Sequence, residues 1–211
     1  GLLLFVPLIH RYWHGRKAGW VISVQPGGRW RYLLICFVVA ATVLNIFMWL
    51  MRGGNMVWQA AQPDWVIYLA LILITSPLQA AAEEFFFRGY LQQAIGSLTG
   101  RAWVGIVCSA LVFALFHGDQ NTELFVHRLG FGLIAGTLVW ATGGLEAAIA
   151  VHVANNVFAF GYALFTGGVA ALKATSEISW EAACSDLMSF AVFGLVAWWI
   201  GRRMHVATLT P

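Results

Sequence analysis

Long, uninterrupted apolar runs constrain this chain more than any other feature. Six of them qualify as membrane-spanning segments, and a seventh, 1–9, resembles the end of one more helix. The six are 32–51, 65–82 with a continuation to about 96, 102–117, 124–141, 145–166 and 187–201. Within a bilayer only helices and closed barrels satisfy every backbone polar group. Because the runs are continuous, we predict an all-α, multi-pass transmembrane bundle of about six to seven helices.

The composition excludes a soluble globular domain. Hydrophobic residues make up 60% of the 211 residues and charged residues only 10%, whereas soluble domains carry about 25% charged residues. The 12 Lys and Arg residues are too few and too scattered for binding along a nucleic acid. We therefore predict a single integral-membrane domain over residues 1–211, located in the cell membrane, in contact with membrane lipids and without a nucleic-acid partner.

Turn-forming residues separate the apolar runs and set the predicted orientation. The breaks fall at 26–28, 52–55, 96–101, 142–144 and 166–179. Alternate crossings then place four segments on one side of the membrane: 10–31, 83–101, 142–145 and 202–211. That side holds nine of the Lys and Arg residues, and the other holds Arg52, Arg128 and Lys173. The positive-inside rule makes the first side cytoplasmic. Pro77 should kink the second segment.

Three charged residues interrupt the second apolar segment, where each would cost about 2.5 to 3.5 kcal/mol in a bilayer. Glu84 and Arg88 are four residues apart, so they share a helix face and can form an ion pair. Glu83 points about 100° away and is left without a local partner. An equally open interpretation is an ordinary ion pair at the membrane interface beside a solvated glutamate.

Further polar residues follow on two later segments. His117 ends the third run, and His152 and Asn156 lie one helical turn apart within the fifth. His117 alone is more typical of an interfacial residue, and His152 with Asn156 would also suit hydrogen bonding between membrane helices. Taken together they favour one site, because an antiparallel hairpin around residues 96–100 brings Glu83 and His117 to a similar depth.

Such a site suits amide hydrolysis. A buried carboxylate beside imidazoles can serve as a general base for water. An imidazole N–H and an asparagine amide can donate hydrogen bonds to a developing oxyanion. His152 and Asn156 would supply these donors inside otherwise apolar walls.

The residues resemble the CPBP intramembrane proteases, a family that includes type II CAAX prenyl endopeptidases and bacterial bacteriocin-processing and abortive-infection proteins. The resemblance covers about 64–166 and rests on three patterns in order. These are EExxxR at Glu83, Glu84 and Arg88, FxxxH at Phe113 and His117, and HxxxN at His152 and Asn156.

The resemblance implies an endopeptidase acting on a membrane-associated peptide or protein. Glu83 would activate water with help from His117, while His152 and Asn156 hold the oxyanion. Glu84, Arg88 and Phe113 would have structural roles.

Metal dependence is the weaker prediction. Members of the family have often been called metalloproteases, and His117, His152 and Glu83 are the candidate zinc ligands. The chain has no HExxH pattern, and we predict no cofactor.

Two other classes of function use similar residues. Proton-coupled transporters carry intramembrane acids and histidines, but the chain shows no internal repeat and has few helices for a transporter. A non-catalytic scaffold or partner-binding subunit of a membrane complex would not need the intact motifs. Two smaller features are assigned structural roles: Gly132 and Gly136 to close helix packing, and the group Asp119, Glu123, His127 and Arg128 to a solvated rim.

Overall fold

The structure is a computed structural model and describes residues 2–13, 15, 17–25, 27–52 and 56–210. Its helices are α1 (Leu2–Tyr12), α2 (Trp30–Arg52), α3 (Trp65–Phe86), α4 (Gln92–Thr99), α5 (Ala102–Leu115), α6 (Thr122–Thr142), α7 (Glu146–Ala163), α8 (Val169–Lys173) and α9 (Trp180–Arg203). A 3-10 turn covers Ala18–Val21, and a π-helical turn, Phe87–Leu91, joins α3 to α4. The predicted all-α membrane bundle is confirmed. Parts of the predicted breaks at 26–28 and 52–55, Arg16 and the side chain of Arg52 lie outside what is described.

Capping residues and glycines explain where several helices begin and end. The side chains of Asn121 and Ser179 accept hydrogen bonds from backbone N–H groups in the first turns of α6 and α9. Gly100 and Gly143, with φ of 66° and 67°, end α4 and α6 in the left-handed conformation that glycine adopts without strain. Of the predicted break at 96–101, only residues 100 and 101 lie outside a helix, and the break at 142–144 begins one residue later than predicted. The break at 166–179 contains α8, which is too short for an apolar pattern to reveal.

Four helical segments in the described part of the chain are long and apolar enough to cross a membrane: 30–51, 65–99, 122–142 and 180–203. Helix α5 is apolar but has only 14 residues, and polar residues interrupt α7. The lipid-facing character is visible on α3, where Val66, Ile67, Leu71, Ile74 and Leu78 are all exposed. Such a continuous apolar surface is incompatible with water as the main solvent.

The second segment contains an irregular turn that the sequence does not predict. Helix α3 continues through Pro77 to Phe86 and is followed by the π-helical turn Phe87–Leu91. The kink expected at Pro77 stays a prediction. Neighbouring helices and polar side chains in a membrane bundle can compensate for the N–H that proline lacks. The π-helical turn begins three residues after Glu84 and contains Arg88, so the irregular turn lies within the charged cluster.

Small residues bring α6 close to the hairpin formed by α4 and α5. A Cβ atom at Gly132 would lie 2.8 Å from Cβ of Ala110, and one at Gly136 would lie 2.7 Å from Oε1 of Gln92. Gln92 also donates from Nε2 to the carbonyl of Gly136 at 3.0 Å. The prediction that Gly132 and Gly136 serve close helix packing is confirmed.

Backbone contacts group the loops into two opposite ends of the bundle. At one end, Val24 donates to the carbonyl of Gly143, and Arg29 donates from Nη1 to the carbonyl of Ala207. At the other end, Asn121 donates to the carbonyl of Ser176 and Gln62 to that of Leu164. The predicted grouping of segments 10–31, 142–145 and 202–211 is thus observed. The cytoplasmic assignment of that end stays a prediction.

Helix α7 lies at the centre of the bundle. Its residues 146–152 are all buried, ending with His152 at 5% exposure. Helices α2, α3, α6 and α9 surround it. The side chain of His152 is therefore buried in the helix that other helices surround, and a buried polar group there needs polar partners.

Candidate active site

The buried part of the site is an ion pair on the second segment. Glu84 and Arg88 are both fully buried, and Arg88 donates from Nη1 to Oε1 of Glu84 at 2.9 Å. The guanidinium lies over the ring of Phe113, 4.5 Å from its centroid, and 5.6 Å from that of Phe131. A carboxylate and aromatic faces therefore compensate the charge of Arg88 together.

His152 lies between the two adjacent glutamates. Its Nδ1 is 2.7 Å from Oε1 of Glu84, and its Nε2 is 3.7 Å from Oε2 of Glu83. Because an ionised carboxylate only accepts hydrogen bonds, Nδ1 is the protonated nitrogen facing Glu84. Glu84 thereby orients the ring so that Nε2 faces Glu83, a role that buried carboxylates often have toward active-site histidines.

Glu83 differs from Glu84 in its access to solvent. Its side chain is 20% exposed, whereas that of Glu84 is completely buried. Gln79, one turn earlier on α3, donates from Nε2 to Oε1 of Glu83 at 3.0 Å. The prediction that Glu83 has no local partner is wrong, because the neutral side chain of Gln79 binds it. Glu83 is the carboxylate of the pair that water can reach.

The hairpin brings His117 toward this cluster. Ser109 of α5 donates to the carbonyl of Phe87 at 2.7 Å, which fixes the register between the two arms. His117 follows the end of α5, and its Nδ1 donates to the carbonyl of Phe113 at 2.7 Å. Nε2 is then the hydrogen-bond acceptor of the neutral ring. The ring of Phe113 lies between the two histidines, 4.6 Å from His117 and 6.1 Å from His152.

His117 is kept neutral by its surroundings. Although it is an exposed residue, the protein around the imidazole desolvates it and lowers its pKa below the usual 6.5. The positive charge of Arg128 lowers this pKa further, while the hydrogen bond to Phe113 and the charge of Glu83 oppose the shift. These effects place Glu83, Arg128 and His117 in one electrostatic neighbourhood. A neutral His117 can accept a proton near pH 7.

Asn156 is not drawn into the cluster. Its Oδ1 accepts a hydrogen bond from Nδ2 of Asn155 at 3.2 Å. Among the described residues it makes no hydrogen bond to Glu83, His117 or His152. The structure therefore joins Glu83, Glu84, Arg88 and His152, brings Phe113 and His117 alongside, and leaves Asn156 one turn further along α7.

Two members of this neighbourhood were missed by the sequence analysis. Gln79 was detectable, because it is a polar side chain one turn before Glu83 in an apolar helix. Phe131 has its ring 5.1 Å from that of His152 and 5.8 Å from that of Phe113. No pattern distinguishes it among 15 phenylalanines, so only the packing of α6 reveals it.

The described residues offer no preassembled metal centre. Across the described part of the chain, no three His, Cys, Asp or Glu side chains form a group that could hold a metal ion. Nδ1 of His117 and Nδ1 of His152 are both engaged as donors, so Nε2 of each ring is the nitrogen left for the site. The zinc ligation considered for His117, His152 and Glu83 stays a prediction.

A cavity of about 520 Å³ opens between α2, α7, α8 and α9. Its wall includes Asn155 and Phe190, and the ring of Phe190 lies 5.1 Å from that of Phe131. The aromatic layer that contacts His152 therefore also borders this cavity. A mostly apolar concave space next to polar groups is typical of ligand sites.

Comparison with known proteins adds independent information about this region. Residues 64–158 match the family model described as "Type II CAAX prenyl endopeptidase Rce1-like". The matched range contains every residue of the three motifs. A curated protein of Bacillus subtilis (strain 168), named "Uncharacterized protein YyaK", is 29% identical over 155 residues, which is 67% of this chain and 51% of that protein. The chain thus spans about half the length of this curated relative. No solved structure matches it significantly. The resemblance inferred from the motifs is confirmed over residues 64–158.

Proposed function

From the Rce1-like similarity of residues 64–158, we propose that this chain is an intramembrane endopeptidase. It would hydrolyse a peptide bond of a membrane-associated protein or peptide in the cell membrane. The observation that supports this most directly is the carboxylate–imidazole–carboxylate arrangement of Glu83, His152 and Glu84 inside a helical membrane bundle. Only one of these carboxylates, Glu83, is open to water. The motif match and the geometry therefore point to the same residue.

Water activation would fall to Glu83 and His117. The Glu83 carboxylate takes one proton from water, while Nε2 of the neutral His117 accepts a hydrogen bond from the remaining O–H and orients the oxygen. The oxygen then forms a bond to the substrate carbonyl carbon, and the carbonyl electrons move to its oxygen. Collapse of this intermediate breaks the C–N bond, and the proton held by Glu83 passes to the leaving amine.

His152 would stabilise the oxyanion from Nε2. Since Nδ1 already donates to Glu84, Nε2 can donate only when the ring carries protons on both nitrogens. Counting that imidazolium, the charges of Glu83, Glu84, Arg88 and His152 sum to zero, which lowers the cost of burying them. Asn156 would supply the second donor from its amide.

The test is cleavage of membrane-anchored peptides by the purified protein in lipid vesicles. Changing Glu83→Gln removes the base but keeps its size and its hydrogen bond from Gln79. We expect the cleavage rate to fall by about 10²- to 10⁴-fold. Thermal unfolding should remain similar to that of the wild type.

A matched control is Glu181→Gln, because Glu181 is an exposed glutamate in the first turn of α9, away from the cluster. This variant should cleave at the wild-type rate. Full activity in the Glu83 variant would reject the mechanism, and a wild-type protein that cleaves no peptide of the panel would reject the proposed function. A chelator added to the same assay should leave the rate unchanged.

A further inference from the structure

Arg128 is a cation on the interior-facing side of a membrane helix. It is half-buried on α6, one turn after the buried Leu124 and just before the buried Phe131. Its Nη1 donates to Oε1 of Gln120 at 2.7 Å. Gln120 in turn donates from Nε2 to the carbonyl of Ala114 at 2.8 Å. The guanidinium is therefore held in place by a neutral side chain that is anchored to the end of α5.

No carboxylate of the described residues forms an ion pair with this guanidinium. Of the described Asp and Glu residues, none lies within 4.0 Å of Arg128, whereas Arg29 and Arg88 are each paired with a buried glutamate. A guanidinium has five N–H donors in a planar fork that matches a carboxylate. The contact with Gln120 uses a single nitrogen. Arg128 therefore retains both charge and donors for an anionic ligand.

The position of Arg128 links it to the proposed active site. Gln120, to which Arg128 donates, is bound to the carbonyl of Ala114, three residues before His117. Phe131, on the same side of α6, contacts the rings of both His152 and Phe113. An anion bound by Arg128 would therefore lie beside the end of α5 that leads to His117.

We propose that Arg128 binds a carboxylate of the substrate and so selects peptides that carry one close to the scissile bond. This inference rests on the proposed peptidase function. The carboxylate has two sources, the C-terminus of a short substrate or an Asp or Glu side chain. Both present the planar pair of oxygens that arginine recognises with two parallel hydrogen bonds. Arg128 would act as a specificity-determining residue and take no part in proton transfer.

A purely structural role would have a different signature. If Arg128 only anchors Gln120 and the end of α5, its removal should slow the cleavage of all peptides equally. Recognition of a carboxylate instead predicts a loss confined to substrates that carry the charge. The ratio of kcat/KM between charged and uncharged peptides separates the two roles.

The experiment uses matched peptides in lipid vesicles. One pair has a free or an amidated C-terminus, and a second pair is amidated and has Glu or Gln next to the scissile bond. For the wild type we expect one pair to show a preference of about 10- to 100-fold for the carboxylate, mostly in KM. The pair that shows it identifies the source of the carboxylate. If the wild-type protein cleaves both members of each pair equally well, the proposal is overturned and no variant is needed.

Variants test the assignment to Arg128. In Arg128→Gln the preference should fall below about twofold, and Arg128→Lys should retain part of it because an ammonium keeps the charge but not the fork. The control is Lys173→Gln, which removes an exposed cation from α8 at the same end of the bundle and should keep the full preference. An unchanged preference in Arg128→Gln overturns the proposal.

A binding measurement tests the role of Arg128 independently of the proposed peptidase function. A fluorescent form of each peptide is titrated onto the Glu83→Gln protein, which does not need to cleave. Preferential binding of the carboxylate peptide, lost in the added Arg128→Gln change, supports the inference even if the wild type cleaves nothing. If the wild type cleaves peptides but the protein binds charged and uncharged peptides equally, the proposed peptidase function stands and the proposed role of Arg128 is rejected.

Discussion

Two buried arginine–glutamate pairs in this molecule use the same residue types in different ways. The Arg29 and Glu146 pair stands at the end of the bundle where the N-terminal and C-terminal segments meet. Arg29 donates from Nη2 to Oε2 of Glu146 at 2.5 Å and from Nε to Oε1 at 3.0 Å. Its Nη1 donates to the carbonyls of Thr142 and Ala207. Both carboxylate oxygens and every nitrogen of this guanidinium are engaged.

The Arg88 and Glu84 pair is less complete. A single bond joins the two side chains, and Oε2 of Glu84 and Nη2 of Arg88 are buried without a hydrogen-bond partner among the described residues. The oxygen that Arg88 contacts also holds His152. Because every hydrogen-bonding group of the Arg29 and Glu146 pair is used, this pair suits a fixed connection between segments. In the Arg88 and Glu84 pair, Glu84 also binds His152, which faces Glu83 in the proposed active site.

The largest expected effect is that of Glu84→Gln. The change leaves Arg88 without its counter-charge and His152 with a neutral partner. We expect the free energy of unfolding to fall by about 3 to 5 kcal/mol, and cleavage per folded molecule to fall about 10- to 100-fold. Thermal unfolding and peptide cleavage in the same vesicles measure the two effects. Wild-type cleavage per folded molecule would show that Glu84 only stabilises the fold.

The corresponding change at the other pair, Glu146→Gln, should lower stability alone. Arg29 would lose its counter-charge, so we again expect about 3 to 5 kcal/mol. Cleavage by the folded fraction should equal that of the wild type. If it falls as much as in Glu84→Gln, the distinction between a structural and a functional pair is wrong.

A smaller effect is expected at the helix contact beneath the aromatic residues. In Gly132→Ala the new methyl group would lie 2.8 Å from Cβ and 3.0 Å from Cα of Ala110. Overpacking of this kind costs about 1 to 3 kcal/mol. The control is Gly167→Ala, where a Cβ meets nothing within 4 Å. Equal unfolding temperatures of the two variants would contradict the close packing of α5 and α6.

The smallest effect concerns pH. Because the pKa of His117 is lowered, the acid limb of kcat/KM should lie below pH 6.5. As the pH falls through 6.5, the unfolded chain takes up this proton before the folded one does, so His117 stabilises the fold above that value and loses this contribution below it. Arg128→Gln should move the limb to higher pH, since it removes a charge that lowers the pKa. If the acid limb of kcat/KM does not move in Arg128→Gln, the charge of Arg128 does not influence the pKa of His117.

The sequence determines most of the fold because the apolar runs set where helices lie. Glycines such as Gly100 and Gly143 then determine where helices end. Two elements were not predictable in the same way. Helix α8 has five residues, too few for a periodic pattern. The π-helical turn at Phe87–Leu91 depends on hydrogen bonds that no residue type specifies. A proline such as Pro77 predicts an interruption, yet helix α3 continues through it.

The candidate site was predictable in its residue types more than in its contacts. Spacing alone predicts the pairing of Glu84 with Arg88, since both lie on one turn of a helix. Spacing does not show that His152 contacts Glu84 more closely than Glu83, because this depends on how α7 is rotated against α3. Asn156 lies one turn further along α7, and this displacement along the helix keeps it from bonding to the cluster. The roles of Glu83, His117, His152 and Asn156 in chemistry stay predictions.

The π-helical turn gives the second segment one place where its length can change without turning the hairpin. A π turn holds one residue more than an α-helical turn over the same rise. If a single residue between Phe87 and Leu91 were removed, a regular α-helical turn could replace the π turn, and Gln92 could still face Gly136. The same deletion in the regular part of α3 would rotate every later residue by about 100°. The extra residue after the acidic pair is therefore the one whose loss the hairpin tolerates best.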